Sequence, residues 1–306
     1  MPPQAANVRI GLHFPARRDS RGVPAVILVL SDLHMGLPGA PTPASIEPLL
    51  AGAAELILNG DAAEEASPRF AARAAAMVAE LGDRCGRRGV RLVRIEGNHD
   101  PGTGELHAWR SDGAVLVTHG HAFHPAIAPW VPHARHLAAA FRDHHASRAD
   151  APEPERSLLA ARAASLAERG IEEARAPFAE LAAMALRPWT FPQVIGWWRM
   201  FPELSARFLE RAADARRGAG HPDPVVVVSG HSHKGGAWQV RGRLVVNTGS
   251  FTFPGRPHAA TIGTDVVTLA PLVRRAGEWS QDAASARTWR IADVARATAA
   301  RSTPAS

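Results

Sequence analysis

Eight side chains in this sequence could act on one another if folding gathered them: Asp32 and His34, Asp61, Asn98 and His99, His119, and His231 and His233. Each follows closely on a short apolar run. Strand side chains alternate faces, so an Asp-x-His or His-x-His pair just past a strand can send both side chains to one side. Carboxylates, imidazoles and one amide, without sulfur, suit first-row divalent metals such as Mn²⁺, Fe²⁺ or Zn²⁺. Without His99 there are still too many donors for one tetrahedral site, and about enough for two metals sharing a carboxylate. Two divalent cations outweigh the charges of Asp32 and Asp61, so such a centre attracts an anion such as a phosphate. A metal pair roughly 3.5–4 Å apart can activate a water and clamp phosphoryl oxygens. The leaving alkoxide then needs a proton, and His99, next to Asn98, is placed to be the general acid.

The elements that must position these groups are legible as apolar runs. Residues 25–30 (AVILVL), 56–58, 91–95, 114–117 and 225–228 read as strands, several of them apolar on both faces. Each ends in one of the candidate groups, which predicts an α/β layered domain with its chemistry at the carboxyl ends of strands. Ser67-Pro68 is a good helix start, and Gly82 a stop after Leu81. Residues 237–240 and 243–247 read as a hairpin turning at Arg241-Gly242, and 261–269 as one further strand.

From about 124 to 220 no strand pattern appears. Leu159, Ala163 and Leu166 keep helical spacing, as do Phe178, Leu181, Ala182 and Ala185, and Val194, Trp197, Trp198 and Phe201 make one apolar face. The expected organisation is a loose lead-in (1–24), a core (25–123 and 221–282), a helical insertion or cap (124–220) and a tail (283–306) that forms a short, fraying helix.

Composition narrows the class. The chain has 306 residues, 46% of them hydrophobic, enough for a large core. Cys85 is the only cysteine, which excludes an intrachain disulfide and thiolate clusters. The net charge is +6, yet the arginines form no basic stripe and Lys234 is the only lysine, so nucleic acid is not the expected partner. No run is long enough for a transmembrane helix and the first twenty residues lack a signal-peptide core, so a cytoplasmic location is expected.

Ser31-Asp32-Leu33-His34, Gly60-Asp61, Gly97-Asn98-His99-Asp100, His119-Gly120-His121 and Gly230-His231-Ser232-His233 resemble, in order, the motif set of calcineurin-like metallophosphoesterases. The resemblance implies an α+β fold, a four-layer αββα sandwich of two mixed β-sheets, with two divalent metals at the strand ends, Mn²⁺ first and Fe or Zn²⁺ as alternatives. It implies Asp32, His34 and His233 on one metal, Asn98, His119 and His231 on the other, and Asp61 bridging. It also implies His99 as catalytic acid with Asp100 as a supporting carboxylate. The insert, Gly-Asp-x-x-Glu at 60–64 and Asn-Thr-Gly-Ser at 247–250 are similar to bacterial UDP-2,3-diacylglucosamine hydrolases. That branch carries Arg in place of His99 and Asp in place of His121, so the chemistry transfers and the substrate does not.

Plainer readings stand beside these. His121, His124, His133, His136, His144 and His145 read as surface or supporting residues. Glu64 either orients a ligand or faces solvent. The Trp197/Trp198 stripe is a core-facing side, or else an apolar wall for an acyl chain or peripheral membrane contact. The expected substrate is a phosphorylated small molecule, a lipid-linked or nucleotide-diphosphate compound. A nucleotide or cyclic-nucleotide diester is the alternative, with a non-catalytic scaffold below both.

Overall fold

The computed structural model describes residues 26–173 and 190–302. The expected lead-in and the Phe178–Ala185 helical pattern lie outside them. Parallel strands β1 (Val26–Leu30), β2 (Ala53–Asn59) and β3 (Arg91–Ile95) are three strands of a seven-stranded sheet. β9 (His258–Ile262) runs antiparallel to β1, β10 (Val266–Arg275) follows, and β11 (Glu278–Gln281) and β12 (Arg287–Arg290) both pair with β10. The second sheet has five strands in the order β4 (Ala108–Arg110), β5 (Val115–Val117), β6 (Val226–Ser229), β8 (Arg243–Asn247) and β7 (Gly236–Val240). Both sheets mix parallel and antiparallel pairs.

Side-chain alternation explains why these strands are apolar throughout. Leu28, Leu30, Leu56 and Leu58 pack outward with α2 (Ala71–Arg87), whereas Val29 and Ile57 point inward. There they meet Val115, Val117, Val226, Val228 and Val246 of the second sheet. The outward side chains of that sheet, Leu116, Val227 and Val245, are covered by α3 (Ala134–Ser147), α4 (Glu155–Glu173) and α5 (Thr190–Gly218). The result is the α+β sandwich of two mixed sheets with helices outside. Trp197 and Phe201 of α5 are buried in this outer core, which is the plainer of their two readings.

Three local expectations are corrected. α2 begins at Ala71 instead of Ser67, and it runs through Gly82 because Ala74, Met77, Leu81 and Cys85 form one continuous buried seam. Its end is Arg88, followed by the left-handed Gly89 (φ 66°). The single strand expected over 261–269 is two, since the chain turns where the Gly263 N–H donates to the Val266 carbonyl (2.9 Å). The tail contributes β12 and α6 (Ile291–Ser302), with Ile291 and Val294 set in the inter-sheet core. Apolar patterning misses β12 because Arg287, Thr288 and Arg290 face solvent.

Candidate metal centre

Five strand ends converge at one edge of the sandwich. Asp32 and His34 follow β1, Asp61 follows β2, Asn98–Asp100 follow β3, His119 follows β5, and His231 and His233 follow β6. The first three loops belong to one sheet and the last two to the other. Backbone bonds lock each set: Asp32 N–H to the Gly60 carbonyl (3.1 Å), His34 N–H to Asp61 (2.9 Å), and Gly230 N–H to His119 (2.9 Å). Asn59 joins the sets, donating its amide to the carbonyls of Thr118 (3.1 Å) and Val228 (3.4 Å).

The backbone itself marks the place. Asp32, His34, Asp61, His231 and His233 all have positive φ, between 48° and 66°. L-residues other than glycine seldom adopt this region, and such strain persists only where surrounding structure enforces it. Ile127 is a further case at φ 45°, a costly conformation for a β-branched residue, and its carbonyl accepts a bond from His231 Nε2 (2.7 Å). Gly97 and Gly230 are required for close approach. A Cβ at Gly97 would collide with the Asp61 carboxylate, and one at Gly230 with Asp32.

Three sets of donors lie with their atoms within 4.8 Å of one another: Asp32, His34 and His233; Asp61, His119 and His231; and His34, Glu64 and His99. Two of the imidazoles are held by a hydrogen bond at Nδ1, with Nε2 turned towards the carboxylates of the centre. His34 Nδ1 meets Glu64 Oε1 (2.6 Å), and His119 Nδ1 meets the Asn59 carbonyl (2.9 Å). Donation from Nδ1 makes each Nε2 a bare lone pair, the tautomer that metal-binding histidines adopt. His34 Nε2 and Asn98 Oδ1 are buried without a hydrogen-bond partner, and the buried His119 Nε2 faces Asp61 Oδ2 at 3.1 Å. An unsatisfied buried polar group costs about 1–3 kcal/mol. Two lone pairs left so, with His119 Nε2 and two carboxylates beside them, form a donor set that fits divalent cations.

Electrostatics agrees. Burial alone would raise the Asp32 carboxyl, but its hydrogen bond to His233 and the charge of His119 hold it below the ordinary value. Burial likewise opposes ionisation of Asp61, yet the facing His119 and His99 keep it well below the ordinary range. The reciprocal effect appears at His119: burial disfavours its charge, and Asp61 nevertheless raises it to about 9. Without a cation, a proton is drawn to the position where one fits.

His99 stands at the mouth, its side chain 43% exposed, and its N–H donates to Asp61 Oδ1 (2.8 Å). Its Nδ1 lies 3.3 Å from Glu64 Oε2. Lost hydration disfavours the imidazolium, but Glu64 and Asp61 favour it and hold its pKa well above the ordinary value. Asp100 is buried and accepts the backbone N–H groups of Gly97 (2.6 Å), Asp61 (3.0 Å) and Ala62 (2.9 Å). Burial and the nearby Asp61 raise its pKa to about 6 despite those bonds. It braces the β2 and β3 loops.

Several residues carry more than the sequence suggested. Glu64, left open between two readings, is buried and spans His34 and His99. His121, read as a surface or supporting residue, is 1% exposed, with its ring centroid 5.4 Å from that of His119. It lies in a 3₁₀ turn, outside the Ala-rich helix. Burial and the neighbouring imidazoles of His119 and His231 keep it neutral. Ser31 meets Thr248 Oγ1 (2.5 Å), which ties β1 to the Asn-Thr-Gly-Ser loop, and its neighbour Asp32 accepts the His231 N–H (3.0 Å).

No family model matches the sequence, and no curated protein matches it. Solved structures do. A conserved uncharacterized protein from Streptococcus pneumoniae, described as a predicted phosphoesterase, shares 14% identity over 84% of this chain and 96% of that one (TM-score 0.37). The phosphoesterase Yfce from E. coli shares 15% over 87% and 99% (TM-score 0.40). Vps29 from Entamoeba histolytica, solved with zinc, shares 12% over 87% and 99% (TM-score 0.39). Likeness this distant says nothing of activity.

Proposed function

We propose that the chain is a divalent-metal-dependent phosphoesterase. The observation that carries this reading is the pair of unpartnered, buried lone pairs of His34 and Asn98, gathered with His119, Asp32 and Asp61 at adjoining strand ends. The motif resemblance supports the same reading. Asp32, His34 and His233 would hold one ion and Asn98, His119 and His231 another, with Asp61 shared. When bound, the ions supply a water acidified to near-neutral pKa and positive charge for phosphoryl oxygens.

The chain's own groups do the rest. Asp100 fixes Asp61 against the Gly97 loop, and the Asp61 carboxylate holds the backbone of His99. Glu64 faces the His99 ring at the mouth and favours its charged form. His99 then delivers its proton to the leaving oxygen. A pyrophosphate or phosphodiester suits a site that pairs metal charge with a proton donor. Burial of Trp197 and Phe201 accords with the plainer, core-facing reading of α5 and takes both rings out of the alternative acyl wall, which weakens the case for a lipid-linked substrate.

Hydrolysis of bis-p-nitrophenyl phosphate, with Mn²⁺ and with chelator, is the test. The expected result is turnover that chelator abolishes and Mn²⁺ restores, and its loss in Asp61→Asn together with bound metal by elemental analysis. Absence of metal-dependent hydrolysis across mono-, di- and pyrophosphate substrates would overturn the proposal.

A further inference from the structure

Beside the Asp32 end of the centre, the loop after β8 turns outward and back. Its start is fixed to the site: the Phe251 N–H donates to the Asp32 carbonyl (3.1 Å), and Ser250 Oγ donates to the same oxygen (3.3 Å). Its tip is stiffened by Ser250 Oγ with Thr252 Oγ1 (2.8 Å) and by the Gly255 N–H on the Thr252 carbonyl (2.8 Å). The two phenylalanines of this loop have opposite fates. Phe251 packs edge-on against Trp279 (5.1 Å), whereas Phe253 is 97% exposed, the most exposed large apolar side chain among the described residues. A tip held this way does not let Phe253 fold back onto the core, although burial of such a ring is among the larger gains open to a side chain.

Cations surround it. Arg256, three residues on, is exposed and bridges by its backbone to Lys234, which follows the candidate ligand His233. Lys234, the only lysine, lies with Nζ 5.6 Å from the ring of Trp198. Trp198 is only partly buried, and its Nε1 donates to the Ser232 carbonyl (2.7 Å). Among the described residues neither Lys234 nor Arg256 has an acidic partner, unlike Arg84, Arg88, Arg94, Arg217 and Arg241. One exposed ring alone is unremarkable. A rigidly displayed ring flanked by two unpaired cations and an indole anchored at one end is the composition of an interfacial anchor, apolar tip inward and positive charge at headgroup level.

We propose that Phe253, Arg256, Lys234 and Trp198 dock the protein on an anionic lipid surface, with the mouth of the metal centre facing the headgroups. This places membrane contact chiefly on the loop after β8, with Trp198 the one contribution from the helical insertion, whose Trp197 and Phe201 are buried. Binding by one ring and two cations is weak and salt-sensitive, each cation contributing roughly fivefold in partitioning.

The test is co-sedimentation of the full chain with vesicles, either pure phosphatidylcholine or phosphatidylcholine with about 40 mol% phosphatidylglycerol, whose negative surface attracts basic side chains. Binding is expected to the anionic vesicles only, weakening as salt rises. The Phe253→Ser/Arg256→Glu double variant should bind at least about tenfold less, with an unchanged melting temperature and unchanged hydrolysis of a soluble substrate. Equal binding to neutral vesicles, equal binding by the variant, no binding by the parent chain, or self-association through the patch without lipid would each overturn the proposal. Sedimentation requires no turnover, so this proposal and the catalytic one fail separately.

Discussion

At the scale of single residues, His99 is the group whose removal separates chemistry from metal binding. It contributes a backbone bond to Asp61, which any residue can supply, and a side chain that can hold a proton. His99→Ala should therefore keep its metal content and lose roughly 10²–10⁴-fold in turnover on an alkyl phosphodiester, the usual weight of a general acid. Loss on a p-nitrophenyl ester should be much smaller, because that leaving group needs little protonation. Equal losses on both substrates would count against the acid role. Gly97 is the complementary case. A Cβ there meets the Asp61 carboxylate, so Gly97→Ala should lose metal by elemental analysis while far-ultraviolet circular dichroism stays that of the parent.

The types and spacing of Asp32, His34, Asp61, His119, His231 and His233 pointed to a shared site because Asp-x-His and His-x-His at a strand end are local patterns. The supporting partners were not legible in that way. Glu64 meets His34 across 30 residues and Ser31 meets Thr248 across 217, contacts set by how loops from neighbouring strands and from the two sheets close on one another. In sequence His121 groups with the histidines of the Ala-rich helix, whereas it lies in a 3₁₀ turn with imidazoles as its neighbours in space.

At the scale of elements, the cap helices are tied to the core by a buried ion pair. Glu96 ends β3 with its carboxylate buried, accepting Arg162 Nε of α4 (2.8 Å) and the Gly102 N–H (2.7 Å). Burial still leaves its pKa raised, even though Arg162 and the Gly102 bond favour the charge. Removing one partner of such a pair strands the other, at a cost of about 3–5 kcal/mol when buried and less here, since Arg162 is 20% exposed. Arg162→Ala should lower unfolding stability in urea by about 2–3 kcal/mol, and adding Glu96→Gln should recover part of it. A double variant no more stable than the single one would mean the pair is not the tie. Apolar runs made β1, β2, β5 and β6 legible because both their faces are covered. β4 was not, since it is three residues long and its Arg110 is buried against Glu55 (2.9 Å), a charged pair where a strand usually shows valine.

Across the whole molecule, acid should unfold the chain partly through His107, which lies away from the metal centre. Its ring is 1% exposed, edge-on to Trp109 at 5.5 Å and 3.5 Å from Glu155, with Arg216 stacked on the same indole at 4.1 Å. Burial, with the charge of Arg216, lowers its pKa to about 4 from an ordinary 6.5. The folded value is the lower one, so the unfolded chain binds the extra proton. The stabilisation is complete above pH 6.5 and is lost as pH falls towards 4. At one pKa unit per 1.36 kcal/mol the whole effect is on the order of 3 kcal/mol. With metal chelated, urea unfolding at pH 7.5 and 5.0 should show a smaller pH difference for His107→Gln than for the parent. An unchanged difference would assign the acid limb to other groups.

The arrangement of loops about Asn59 has a mechanical consequence. One candidate ion would take Asp32 and His34 from the end of β1 and His233 from the end of β6, strands that belong to different sheets. Apolar contact between the sheets resists separation but gives little directional resistance to slip. Coordination does, so each ion would act as a rivet through the sandwich. Amide hydrogen exchange near Leu30 and Val228 should then slow together as Mn²⁺ is added, following RT ln(1 + [metal]/Kd). Amides at the far ends of the same strands, near Val26 and Val226, should respond less.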